Sequence, residues 1–241
     1  MLWWLALAWA DPRPPTSLSW ALTVDGVAVG WRRVDISWAD AEHRVFTGGM
    51  TLDGSALDGK LRKIRYGQAL SANSQQGRPA SFTASIDDGR RAREVQARRT
   101  GTTWTIVVSE DGEARTHTLP HTRVDLSTVD LLDPESERSL LGRDYARILL
   151  AETGKIEEGA VRRVGTQRVM VVDEEVEVEA LEWSTSEGPY RLWYAPNGWL
   201  VRWEVPLMGL RVQGVLQGEA PRATDEFQVG DPVGTIEVFN L

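Results

Sequence analysis

The sequence predicts an all-β fold: a curved antiparallel sheet, as a half-barrel or open barrel, with one short helix. Three observations carry this expectation. Asp-Gly stands at 25–26, 53–54, 58–59, 88–89 and 111–112, and Asn-Gly at 197–198. These dipeptides supply the positive φ angles that tight hairpin turns need. The runs between them are rich in Val, Thr, Trp and Arg and alternate apolar with polar residues, the period of a half-buried strand. One stretch alone, Asp133–Gly142, carries helix punctuation, with Asp133 at the N-cap, Pro134 at the first helical position and Gly142 at the end.

With 241 residues, 41% hydrophobic and 26% charged, the chain can bury one large core, and residues 17–241 read as a single β domain. Residues 1–10 hold no charged side chain and end in Ala8-Trp9-Ala10, a small-x-small pattern, although a basic leading region is missing. They read as a signal peptide, followed by a proline-rich leader over 11–16 of the mature chain. Export of the chain is therefore expected. No run approaches the roughly 20 apolar residues of a spanning helix. Charges interrupt both faces of most strands, which argues against an outer-membrane barrel. The absence of cysteine excludes a disulfide framework, thiolate metal sites and a cysteine nucleophile.

Register can be tested at two hairpins. A two-residue loop at Asp25-Gly26 sets Val24 opposite Val27, Leu22 opposite Val29 and Trp20 opposite Trp31, all on one apolar side. A two-residue type I′ loop at Asn197-Gly198 sets Tyr194 against Val201, Leu192 against Trp203 and Tyr190 against Val205. Its other face pairs Trp193 with Arg202 and Arg191 with Glu204, a cation–aromatic contact and an ion pair. Farther back, Val176, Val178 and Ala180 share one parity while Leu181 and Trp183 share the other, so a bulge is expected near Ala180. Residues 235–241 read as a last strand.

Net charge is −8, unevenly spread, with a basic stretch over 60–100. Those arginines are expected to neutralise acidic neighbours across the sheet, so no nucleic-acid partner follows. The acidic run Asp173, Glu174, Glu175, Glu177 and Glu179 reads as a solvated strand face, or the complement of the arginines in 90–99. Gly54–Lys60 has phosphate-loop spacing but leads into Leu61 and strand-like sequence, without the helix N-terminus a phosphate needs. It reads as two successive turns. His117 and His121 flank Leu119-Pro120 and cannot share a helix face, and His43 is remote. No catalytic or metal-binding motif emerges, and no cofactor is implied.

Eleven tryptophans stand out, eight of them after residue 10. On strand faces such rings are core or ligand surface. Tyr190, Leu192, Tyr194, Val201, Trp203 and Val205 form the continuous apolar face on which ligand binding is expected. The hairpin Trp20–Trp38, the Val129–Pro134 and Ala151–Ile156 segments, and Leu192–Arg202 resemble an uncharacterised class of periplasmic β domains, distantly similar to the LolA/LolB-like lipoprotein-carrier half-barrels. That resemblance implies a curved sheet around a helix or an apolar cavity. It further implies a non-catalytic binding or accessory module whose partner is a lipid, a lipoprotein or an envelope protein. The competing expectation is an envelope-glycan-acting enzyme whose carboxylates converge only in three dimensions.

Overall fold

A short connection explains the shape of the molecule. The computed structural model describes residues 16–40, 42–75, 78–133, 140–171 and 173–217. In chain order the strands are β1 (Thr16–Val24), β2 (Val27–Trp38), β3 (His43–Asp53), β4 (Arg65–Gln75), β5 (Arg78–Asp87), β6 (Ala92–Thr100), β7 (Thr103–Glu110) and β8 (Glu113–Pro120). There follow β9 (Leu126–Ser127), β10 (Tyr145–Leu149), β11 (Ile156–Val171), β12 (Glu174–Thr185), β13 (Gly188–Tyr194), β14 (Leu200–Leu207) and β15 (Leu210–Gln217). All belong to one unclosed sheet, ordered β8-β7-β6-β5-β4-β3-β2-β1-β15-β14-β13-β12-β11-β10-β9. Only residues 121–125 join its two edge strands, β8 and β9. At about 3.5 Å per residue they reach at most roughly 20 Å. The sheet must therefore curl until its edges face each other.

Neighbouring strands are antiparallel except β9 and β10, which run parallel. The expected all-β curved sheet is thus present. Of the expected helix, residues 134–139 lie outside the described residues, and Leu140–Gly142 form a turn with Gly142 at φ 78°. The described helical turns are short 3-10 segments at Gly54–Ala56, Gly59–Lys63 and His121–Arg123. The first two occupy the phosphate-loop look-alike. Residues 1–15, which include the proposed leader, and the expected strand 235–241 also fall outside the described residues.

Against the concave face packs the chain's own connector, whose described residues are 124–133 and 140–155 and include the edge strands β9 and β10. Ala146, Ile148, Leu149 and Ala151 are fully buried in it. Its last turn crosses to the far wall, where a Cβ on Gly154 would come within 2.6 Å of Val108 and 3.2 Å of Val95. Polar ties to the sheet hold it. Trp183 Nε1 donates to Ala146 O at 3.3 Å, and Tyr194 Oη donates to Leu131 O at 3.3 Å. Arg44, on the concave side of β3, pairs with Asp133 at 2.8 Å, both side chains being buried.

The hairpin registers hold in part. Val24 faces Val27, and Thr23 faces Ala28, but a bulge after Thr23 then sets Leu22 against Gly30, Ala21 against Trp31 and Trp20 against Arg32. The expected pairing of Trp20 with Trp31 is thereby corrected. Gly30 permits the shift, because a Cβ there would sit 1.9 Å from the Thr51 carbonyl oxygen. At the other hairpin Leu192 faces Trp203, Trp193 faces Arg202 and Arg191 faces Glu204 as expected, while Tyr194 faces Leu200. The loop there is wider than two residues, closed by Ala195 N to Trp199 O at 2.8 Å. Gly198 has φ 85°, but Asn197 does not share the positive φ of a type I′ turn. The irregularity near Ala180 exists, and its extra residue lies on the partner strand, between Arg163 and Gly165.

The acidic stripe is complemented by β11, not by the arginines of 90–99. Arg163 pairs with Glu179, and Arg168 with Glu175 at 3.2 Å. Arg91 and Arg93 are engaged instead with Glu110 on β7. The reason is topological: β11 is the hairpin neighbour of β12, whereas β6 lies in the other half of the sheet.

Candidate functional site

The bulge after Thr23 has a chemical consequence. It turns Trp31 outward, where it is exposed, and points Arg32 into the concave side beside fully buried Trp20. Tyr66 faces the same side, since it stands opposite Leu52, which stands opposite Gly30. Gln68 does so too, at the register of Met50 and Ile86. Glu152 arrives from above on the turn that follows β10, and Tyr190 from β13 on the other half of the sheet. A polar cluster thus forms inside an otherwise apolar trough.

Arg32 lies over the Trp203 ring, 5.8 Å from its centroid. It makes no hydrogen bond or ion pair with the described residues. Burial lowers its pKa from the usual arginine value, partly offset by the fields of Glu152 and Tyr66. Glu152 is half-buried and accepts from Thr128 Oγ1 at 3.3 Å, and its carbonyl accepts from Arg93 at 3.3 Å. Burial pushes the Glu152 carboxyl above the usual carboxylate range, against its own backbone hydrogen bond and the opposing pull of Arg32. Burial likewise raises Tyr66 and Tyr190, so both phenols stay protonated at neutral pH. The Tyr66 hydroxyl is buried and has no hydrogen-bond partner. The arrangement offers one cation and one unused O–H donor in a low-dielectric setting, where each is costly to leave unpaired.

The six residues expected to bind ligand do share one concave wall. Tyr190, Leu192, Tyr194, Val201 and Trp203 are buried and Val205 is half-buried. Their cover is the connector, through the Tyr194–Leu131 hydrogen bond. Trp203 lies flat across β15, so close that a Cβ on Gly214 would fall 2.2 Å from the ring. His117 and His121 come no nearer to a metal site, and among the described residues no group of three or more His, Asp or Glu could hold a metal. An open cleft lined by Gln75, Arg78, Arg99 and His121 lies at the opposite end of β5 and β6.

With this geometry in view, comparison with known proteins is informative about the fold. A β-barrel-like protein of domain of unknown function DUF1849 from Brucella abortus superposes with a TM-score of 0.59 at 12% identity, covering 84% of this chain and 95% of that one. The two chains share a fold. A hypothetical lipoprotein, YmcC from Escherichia coli, aligns over 86% of this chain and 85% of its own at 10% identity, with a TM-score of 0.34. No family model matches the sequence, and neither does any curated protein. The chain is therefore a β-barrel-like domain, with no helix among its described residues long and apolar enough to cross a membrane.

Arg32 and Glu152 were not apparent from the sequence. Strict alternation from Val27 puts Trp31 inside and Arg32 outside, and only a bulge inverts them. The signal that could have found them is Gly30, a glycine inside a strand followed by Trp-Arg-Arg, which marks a kink or a close backbone approach.

Proposed function

We propose that this chain is a non-catalytic binding or accessory module of the bacterial periplasm, which holds the apolar part of a lipid, lipoprotein or other envelope component against its concave sheet. The reading is supported by one observation, the wall of Tyr190, Leu192, Tyr194, Val201, Trp203 and Val205. This aromatic surface is covered by the connector, through Leu131 and Ala146, and among the described residues not by a second sheet. Connectors of this kind belong to the parts of a protein that open below the global unfolding free energy. In this reading the ligand takes the place of part of the connector's described residues, 124–133 and 140–155, in the manner of lipoprotein-carrier half-barrels.

The test is titration of the folded protein with an apolar fluorescent probe, with near-UV circular dichroism as a check on folding. Saturable uptake that weakens in Trp203→Ala is the expected result. No uptake by fully folded wild type would overturn the reading. Residence in the periplasm is tested separately, by N-terminal sequencing after expression in a Gram-negative host. The mature chain should begin at Asp11, and cytoplasmic protein retaining Met1 would contradict it.

A further inference from the structure

We propose that Arg32 and Tyr66 form a receptor for a small oxyanion, a carboxylate or phosphate group, on the concave face of the sheet. The inference builds on the ligand-holding reading above and assigns the polar end of that ligand. Arginine cannot shed its charge in a protein, so a guanidinium drawn into an apolar trough needs a counter-charge with hydrogen-bond acceptors. Arg32 has none within bonding distance among the described residues. Its underside is covered by the face of Trp203, a contact that leaves its N–H edges unused. On the same face, two strands over, stands Tyr66, 5% exposed, whose hydroxyl donates to nothing. A cation and a buried donor that both lack acceptors are what an oxyanion satisfies.

The neighbours do not fill that role. Arg93 is spent on Glu110 at 2.8 Å. The Glu152 carboxyl accepts from Thr128 and stands beyond ion-pair distance of Arg32. Gln68 shares the face and register and is half-buried, adding amide N–H groups on the same side. The aromatic wall begins at Trp203, directly under the guanidinium. An acyl chain lying along that wall would bring its head to Arg32, and a free anion would reach the same two donors without a tail.

Calorimetric titration separates the sources. The full chain is titrated with decanoate, with decanol, and with acetate and inorganic phosphate, alongside Tyr66→Phe and Arg32→Gln. Tyr66→Phe deletes one unpartnered buried hydroxyl and so leaves folding intact, which keeps the test valid even if Arg32→Gln proves unstable. For an amphiphile head, decanoate binds at least tenfold more tightly than decanol, and Tyr66→Phe erases about tenfold of that, the effect of one hydrogen bond to a charged group. For a free ion, phosphate or acetate binds and the tail adds nothing; the oxyanion site then stands while the apolar-carriage reading fails. Equal binding of decanol and decanoate, unaffected by Tyr66→Phe, would overturn the receptor and leave apolar carriage intact. Absence of binding by any of the four ligands would overturn both.

Discussion

Two single residues hold more of this molecule than their size implies. Gly214 is the floor on which Trp203 lies, with 2.2 Å between the ring and the position a Cβ would take. Gly214→Ala should therefore cost about 1–3 kcal/mol by overpacking. Pairing it with Trp203→Leu should recover much of that loss, so a urea-unfolding cycle that finds the two changes additive would refute the contact. Arg44 is the second. Removing it takes a buried ion-pair partner from Asp133, so Arg44→Ala should lose about 3–5 kcal/mol in the same assay. Neither role was legible in the sequence. A glycine in a strand and an arginine at an inward parity both look like minor irregularities until the cross-sheet partner is known.

At the scale of elements, local chemistry was a good guide wherever the turn itself set the pairing. Asp25-Gly26 and Asp111-Gly112 both adopt the paired positive φ angles that Asp-Gly announces. Met208-Gly209 does the same without any such signal in its first residue. The 197–198 loop places only Gly198 in the left-handed region. Gly198→Val puts a β-branched side chain at φ 85° and should cost about 1–3 kcal/mol. A thermal midpoint equal to wild type would show that the loop tolerates other geometries. The bulge between β1 and β2 was the part that alternation did not announce, because its extra residue reverses parity within a run of similar composition, whereas the phase switch near Ala180 was legible. That is why the aromatic wall of β13 and β14 could be read in advance while the Arg32 cluster could not.

At the scale of the whole molecule, the charge pattern sets a pH response. Asp125 is held below its usual range by hydrogen bonds from Arg147, Glu110 by Arg93, and Glu182 by Arg162 and Arg191. A carboxyl whose folded pKa is depressed contributes stability above its unfolded pKa and loses it as pH falls. Glu152, raised by burial, works the other way and favours the fold at lower pH. The three depressed groups outnumber it, so the urea midpoint should decline between about pH 5 and pH 3. A flat or rising midpoint over that span would contradict the ion-pair assignments. The order of strands has a further consequence, for the time course of folding. β1 lies in the middle of the sheet and pairs with β15, Ser19 against Gln217 and Thr23 against Gln213. Until the last strand has been made, the first has an unpaired edge, and joining them closes a loop nearly as long as the described chain. Contacts so distant in sequence fold slowly. The two halves of the sheet would thus form first as separate meanders, and their joining along β1 and β15 would be the late step of folding.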